Sequence, residues 1–222
     1  MRDWRAYSRL MTSLELYQAF SWAEYVLVVQ LDAIVFVDEI DVWADRAFDH
    51  VGPPWWTRGP NPLKRSPRPA VSGIGGVCLR RTKSCIRVLE HANERRCRVN
   101  APRSRLYRSP KWKASSLLTS DRSWVSTRER AQSGAITEDE FWAMEVPRWF
   151  DWSMPSAVES LNFAFDMYPR LSVKLTTSAP FAVHGRRNVE ALFAISTKST
   201  DRIDVDEFGR GDTTVLAQFL RG

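Results

Sequence analysis

One run of residues, Tyr25–Leu31, constrains the fold of this chain more than any other segment. It is almost wholly apolar, rich in valine, and ends abruptly at Asp32. Because apolar and polar side chains do not alternate, the run predicts a strand covered on both faces, as in an α/β sheet. Helical patterns alternate with short strand patterns, which favours the α/β class. Helices are predicted at about 7–20, just after Asp38 and at 82–91, and further strands at 77–80 and 171–175, while the stretch 180–184 closes the recognisable core.

Polar side chains stand at the end of the predicted Tyr25–Leu31 strand, where the sequence reads Gln30-x-Asp32. In open α/β sheets, ligands bind at the carboxyl ends of strands. A carboxylate such as Asp32 can hold a hard divalent cation, and the cation can clamp a diphosphate. An aspartate that merely starts a turn fits the local sequence equally well, so both interpretations stay open.

Two further candidates lie at the end of the apolar stretch 180–184. His184 follows an apolar stretch and could be a metal ligand or a hydrogen-bond donor to a diphosphate. Arg186 could pair with a phosphate group. The structural alternatives are the commoner ones, because a lone histidine usually serves packing and most exposed arginines are simply solvated.

A capping box marks the start of a helix at Thr137, with Glu140 three residues later. Glu138 and Asp139 then fall in the first helical turn, where the helix dipole favours negative charge. This is sufficient reason for both carboxylates. The functional alternative is a general base that takes the proton from an acceptor hydroxyl.

Glycines and tryptophans provide the remaining candidate positions. Gly75 and Gly76 could let the backbone approach a sugar or a phosphate. Their spacing does not fit the dinucleotide fingerprint, because a strand and not a helix follows. Trp55 could stack on a sugar ring, although packing in the core explains it equally well.

The positive charge is concentrated in one part of the chain. Residues 58–130 hold nineteen basic and four acidic side chains, whereas the segments before and after are acidic. The basic segment is rich in proline and glycine, and residues 92–135 are expected to form a loosely ordered insertion. Trp112 and Trp124 could stack on bases, but no nucleic-acid-binding module is recognisable, so nucleic acid is a disfavoured partner.

Several protein classes are excluded by composition. The 44% hydrophobic content is enough for a core and argues against wholesale disorder. No apolar run approaches the roughly 20 residues of a membrane-spanning helix, and the N-terminus lacks a secretory pattern. The three cysteines imply neither a disulfide framework nor a zinc site. We therefore expect a soluble, cytoplasmic protein.

Six short blocks follow one another in an order that resembles a poorly characterised glycosyltransferase-like family with QxD, VGAPW, GNGGxSLR, EDxFW and PFGxH blocks. The resemblance covers about residues 7–188 and leaves 189–222 as a C-terminal tail. It implies a GT-A-like fold, in which a mixed central sheet is flanked by helices. The blocks are Tyr7–Met11, Tyr25–Ala33, Asp49–Trp55, Gly73–Arg80, Glu138–Trp142 and Pro180–His184.

The same resemblance implies a metal-assisted transfer of a sugar from a nucleotide-sugar donor to a hydroxyl acceptor. Asp32, in a degenerate DxD motif, and His184 would hold Mn²⁺ or Mg²⁺. Asp139 or Glu138 would be the catalytic base. The remaining substrate-binding positions would be Gln30, Trp55, Gly75, Gly76 and Arg186.

Departures from the family pattern raise an alternative function. Family members carry a nucleotide-binding βα portion before the Tyr7 block, so we expect a domain that is incomplete at its N-terminus. Ile74 and Ala182 replace the asparagine and the glycine of the family blocks. The alternative is therefore a catalytically inactive, truncated remnant whose basic segment 58–130 binds acidic partners such as nucleic acid.

Overall fold

The computed structural model describes residues 3–58, 67–91, 124–176 and 179–190. Helices and short strands are mixed along this part, as expected for the α/β class. The helices are α1 (Trp4–Met11), α2 (Leu14–Ala19), α3 (Ile40–Asp45), α4 (Thr82–Glu90), α5 (Trp124–Gln132), α6 (Glu138–Glu140), α7 (Val146–Trp149), α8 (Ser160–Phe163) and α9 (Pro169–Leu175), with a π-helical turn at Phe141–Glu145. The strands are β1 (Tyr25–Val29), β2 (Ala33–Val35), β3 (His50–Val51), β4 (Pro54–Arg58), β5 (Pro67–Ser72), β6 (Val77–Arg81), β7 (Ala164–Phe165) and β8 (Ala182–His184).

The predicted basic insertion falls mainly on residues 92–123, which lie outside the described residues, as does most of the C-terminal tail. The last part of the insertion contains α5 and is helical. Within the described ranges, no helix is long and apolar enough to cross a membrane.

The first sheet has the strand order β1-β6-β3, and both pairings are antiparallel. Among the described strands β1 pairs with β6 alone, so it lies at the sheet edge. Leu27 and Val29 keep 37% and 44% of their surface exposed. The expectation of a strand covered on both faces is therefore wrong for β1. An apolar run reports side-chain type, whereas burial requires a packing partner, and on the face of Leu27 and Val29 only Tyr25, at the start of the strand, packs against a described core cluster.

The second sheet has the order β2-β8-β7, with β8 antiparallel to β2 and parallel to β7. A tight turn joins it to the first sheet, because the Ala33 N–H donates to the Gln30 carbonyl at 2.9 Å. Strands β4 and β5 form a separate antiparallel hairpin with an irregularity between Trp55 and Trp56. The turn at Gln30 thus brings the end of β1 to the start of β2.

Two helix starts show how local sequence fixes the elements. The Thr137 hydroxyl accepts from the Glu140 N–H at 3.4 Å, and the Glu140 carboxylate accepts from the Thr137 N–H at 3.2 Å, which confirms the predicted capping box. The strand predicted at 171–175 is wrong, because this segment belongs to α9. Pro169 occupies the first turn of α9, where its missing N–H is no loss.

Three apolar clusters hold the described elements together. One lies between α2, α4 and the π-helical turn, a second between the second sheet and the hairpin, and a third between the first and second sheets. Burying one such large apolar side chain contributes roughly 1.5–3 kcal/mol. Fully buried members include Tyr17, Cys85, Phe141, Trp142, Leu161, Phe163, Phe165, Leu79 and Val183.

Candidate functional site

The ends of β1, β2 and β8 bring three of the predicted site residues together. Nε2 of His184 lies 3.0 Å from Oε1 of Gln30 and 3.3 Å from Oδ1 of Asp32. The strand pairing explains this arrangement: Ala33 on β2 faces His184 on β8, so Asp32 comes next to the histidine. Side chains far apart in the sequence thus meet around one imidazole nitrogen.

A carboxylate that the sequence analysis missed occupies the other side of the ring. Oδ2 of Asp166 lies 2.9 Å from Nδ1 of His184. Asp166 follows β7, which pairs in parallel with β8 and places Phe165 opposite Val183. The rule applied to Asp32, that a polar residue at a strand end is a ligand candidate, could have found Asp166. The two-residue strand before it was too short to be recognised.

The carboxylates determine the charge of the histidine. Burial alone would lower the pKa of His184, but the hydrogen bond and charge of Asp166, together with the charge of Asp32, outweigh it. The net result is a pKa above the usual 6.5. His184 and Asp166 side chains are 18% and 17% exposed, whereas Asp32 is 54% exposed. The Asp32 side of the histidine is therefore the one that solvent or a ligand can reach.

The two glycines of the predicted glycine turn connect this cluster with the start of α6. A Cβ on Gly76 would overlap the His184 ring, and a Cβ on Gly75 would overlap the Glu138 carboxylate. Glycine is required at both positions because of these close approaches. The Gln30 N–H donates to the Gly76 carbonyl at 3.0 Å, which fixes the turn to the end of β1. Gln30, Asp32, Gly75, Gly76, Glu138 and His184 therefore form one continuous cluster.

Glu138 is ion-paired with Arg80 in the interior. The Arg80 guanidinium donates to Glu138 Oε2, and it also donates to the Tyr17 hydroxyl at 3.0 Å. The two charged side chains are 0% and 4% exposed. Burial raises the pKa of Glu138 and the charge of Arg80 lowers it, with a net rise. A buried pair of this kind serves the fold, since loss of either partner leaves an uncompensated charge.

Asp139 makes local contacts at the start of the helix. It accepts from the Thr137 hydroxyl, and from the Glu140 N–H at 3.0 Å. Burial raises its pKa, and these hydrogen bonds lower it, with a net rise. The described contacts of its carboxylate therefore all belong to the helix start.

Tyr7 is a second residue that the sequence analysis did not single out. Burial raises its pKa to about 12, and the charge of Glu138 adds to this effect, whereas Gln30 lowers it. The phenol is thus near enough to Gln30 and to Glu138 for both residues to act on its pKa. It carried no signal in the sequence, because a tyrosine on an amphipathic helix is ordinarily a core residue.

Two predicted substrate-binding residues have no described contact with this cluster. Trp55 lies in the hairpin, where it pairs with Val71 and is partly buried. Arg186 is 87% exposed and donates from Nε to Glu190 at 2.9 Å. The described contacts thus place Arg186 in a surface ion pair.

The donor groups of this cluster suit the divalent cation that the resemblance implies only as an open site. Among the described residues no three His, Cys, Asp or Glu side chains are grouped so as to hold a metal ion. Asp32 and Nε2 of His184 offer two donors, and the Gln30 amide oxygen offers a third. Mg²⁺ in proteins usually takes one or two carboxylates and completes its shell with water and substrate phosphates. These residues fit such an open site and do not form a closed cage.

Comparison with known protein families matches residues 1–184 to a family model described as "Protein of unknown function (DUF5672)". No curated protein and no solved structure gives a significant match to this chain. Because the matched segment covers well over half of the 222 residues, the chain belongs to the DUF5672 family.

Proposed function

We propose that this protein transfers a sugar from a nucleotide-sugar donor to a hydroxyl acceptor with the help of a divalent cation. The observation that carries the proposal is the convergence of Gln30 and Asp32 on Nε2 of His184, at 3.0 and 3.3 Å. The point of convergence lies where β1 and β8 end and β2 begins, and Asp32 there is exposed enough to meet a ligand. The ordered blocks that resemble a glycosyltransferase-like family supply the reaction class, and a GT-A-like fold is part of the same proposal.

On the donor side, Asp32 and His184 would hold Mn²⁺ or Mg²⁺, with Gln30 beside them. When bound, the cation supplies positive charge that stabilises the departing diphosphate. Asp32 is the more exposed of the two ligands, which suits a position next to an incoming diphosphate. Gly75 and Gly76 are buried, and the space beside them is filled by Glu138 and His184, so their part in the proposed site is to let these two side chains approach the turn.

On the acceptor side, the hydroxyl oxygen forms the new bond to the anomeric carbon of the sugar. The bond from that carbon to the diphosphate oxygen breaks, and the nucleoside diphosphate leaves with the electron pair. The proton of the acceptor hydroxyl passes to a carboxylate. A carboxylate with a raised pKa is suited to this task, because a base works best when its pKa approaches the working pH.

Glu138 is the better placed of the two candidate bases. Its Oε2 accepts from Arg80, whereas its Oε1 lies against Gly75. The next residue, Gly76, is the one against which the His184 ring packs. The carboxylate of Asp139 already accepts hydrogen bonds at the start of α6. Comparison of Glu138→Gln with Asp139→Asn in a pH–rate profile distinguishes the two, because loss of the base removes the acidic limb, whereas the lower stability expected for Glu138→Gln changes the amount of folded protein and not the shape of the profile.

The experiment that tests the proposed function measures nucleoside diphosphate release from a panel of nucleotide sugars, with and without Mn²⁺. We expect release from at least one donor only when the cation is present. Asp32→Asn keeps the shape of the side chain and removes its charge, and we expect a rate about 100-fold lower. Asp41→Asn, at an exposed position of α3, is the matched control and should behave as wild type.

Two results would contradict the proposal in different ways. Equal rates for wild type and Asp32→Asn would remove Asp32 from the mechanism. Absence of release from every donor, with Mn²⁺ or Mg²⁺ and with candidate hydroxyl acceptors, would refute the transferase function itself.

A further inference from the structure

The pairing of β7 with β8 brings Asp166 next to His184. The two strands run in parallel, with Ala164 opposite Ala182 and Phe165 opposite Val183. One step further along the same register places Asp166 beside His184, and neighbours in register project to the same side of a sheet. The contact between Oδ2 of Asp166 and Nδ1 of His184 at 2.9 Å is therefore fixed by the backbone of the sheet.

Asn188 holds the two residues at this separation. Its side-chain amide donates to the backbone carbonyl of His184 at 2.8 Å and also to the backbone carbonyl of Asp166. The Gly185 N–H donates to the Asp32 carbonyl at 3.0 Å on the opposite side. The histidine is thus held from both neighbouring segments.

The surroundings of the two ring nitrogens differ. The nitrogen that faces Asp166 contacts a shielded carboxylate, because Asp166 is only 17% exposed. The other nitrogen faces Asp32, which is 54% exposed. A carboxylate that accepts from one ring N–H fixes the tautomer of a histidine and directs the other nitrogen toward a ligand.

We propose that Asp166 is a positioning residue that holds the His184 ring with its Nδ1–H on the carboxylate and with Nε2 directed at Asp32 and Gln30. The proposal rests on the proposed function in one respect, that Nε2 serves as the cation ligand. Asp166 itself does not touch the substrate or the cation. Its contribution is the orientation and the tautomer of the ring.

The test uses the full chain with ¹⁵N-labelled histidine side chains and long-range ¹H–¹⁵N NMR, at a pH where the His184 ring is neutral. The chain has three histidines, and His184→Gln assigns the signals of the residue in question. We expect the Nδ1–H tautomer in wild type, with the Gln30 amide turned so that its NH2 group donates to Nε2, and also in Asp166→Asn, whose amide oxygen can still accept. In Asp166→Ala we expect the ring signals to shift toward a mixture of tautomers.

A second measurement in the same samples uses Mn²⁺ alone as the probe. Paramagnetic broadening of the His184 signals reports the affinity, which we expect to be 10- to 100-fold weaker in Asp166→Ala. Asp41→Asn should match wild type in both measurements. The buried ring of His50 serves as the internal reporter that each variant is folded.

The outcomes separate this proposal from the proposed function. A wild-type His184 in the Nε2–H form, or an unchanged tautomer in Asp166→Ala, would overturn the role of Asp166. Absence of broadening in wild type would contradict the cation site of the proposed function, whereas the tautomer result would still decide the role of Asp166.

Discussion

Replacing Glu138 by glutamine leaves the Arg80 guanidinium in the interior without a countercharge. Removal of one partner of a buried ion pair costs about 3–5 kcal/mol. Arg80 keeps two other contacts, the Tyr17 hydroxyl at 3.0 Å and the face of the Trp142 ring at 5.6 Å. We therefore expect the free energy of unfolding of Glu138→Gln to fall by an amount near the lower limit of this range, about 3 kcal/mol. With a urea m-value of about 2 kcal/mol/M, the unfolding midpoint falls by about 1.5 M.

Urea unfolding followed by tryptophan fluorescence measures this loss directly. The matched control is Glu190→Gln, since Glu190 also pairs with an arginine, Arg186, at 2.9 Å, but the two side chains are 60% and 87% exposed. Its cost should lie within about 0–1 kcal/mol. Equal midpoints for Glu138→Gln and Glu190→Gln would refute the reasoning that the Arg80–Glu138 pair is a buried structural element.

Three further predictions concern packing, pH and the sheet edge. Gly76→Ala forces a Cβ into the His184 ring, so we expect the free energy of unfolding to fall by about 1–3 kcal/mol and the His184 NMR signals to shift. An unchanged melting temperature would contradict this prediction. Burial, with the charge of Arg80, holds the pKa of His50 well below 6.5. As the pH drops below about 6.5, the unfolded chain binds a proton at this histidine before the folded chain does, so the free energy of unfolding falls by up to about 1.4 kcal/mol per pH unit. Urea titrations at several pH values should show that His50→Leu removes this contribution. Leu27→Thr and Val29→Thr, on the exposed face of β1, should each change the unfolding free energy by no more than about 0.5 kcal/mol, and a larger loss in urea unfolding would mean that this face is covered.

Local sequence signals predicted the elements that depend on local interactions. The capping box at Thr137 is present because its hydrogen bonds lie within four residues. The strand at Tyr25 was also predicted, but its coverage was not, since burial depends on partners distant in the sequence. The segment 171–175 was misassigned because three alternating apolar residues fit a strand, whereas Pro169 starts a helix there.

The candidate site shows the same limit of sequence reasoning. Gln30, Asp32 and His184 were each predicted individually, and only strand pairing brings them within contact distance. Asp166 could have been a candidate as a polar residue at a strand end, but its contact with His184 depends on the parallel register of β7 and β8, which the sequence does not show. The ion pair of Glu138 with Arg80 was likewise invisible, because 58 residues separate the two in the chain.

The central claim, that Asp32 and His184 form the cation side of a donor site, is tested most directly by equilibrium binding of Mn²⁺ with and without a nucleoside diphosphate. Because phosphate oxygens complete the shell of an open cation site, we expect the diphosphate to tighten Mn²⁺ binding at least tenfold in wild type. In Asp32→Asn this coupling should disappear, and in Asp41→Asn it should persist. Two results would contradict the claim that Asp32 and His184 form the cation site. One is a wild-type Mn²⁺ affinity that no nucleoside diphosphate changes, and the other is a diphosphate effect on Mn²⁺ binding that persists in Asp32→Asn.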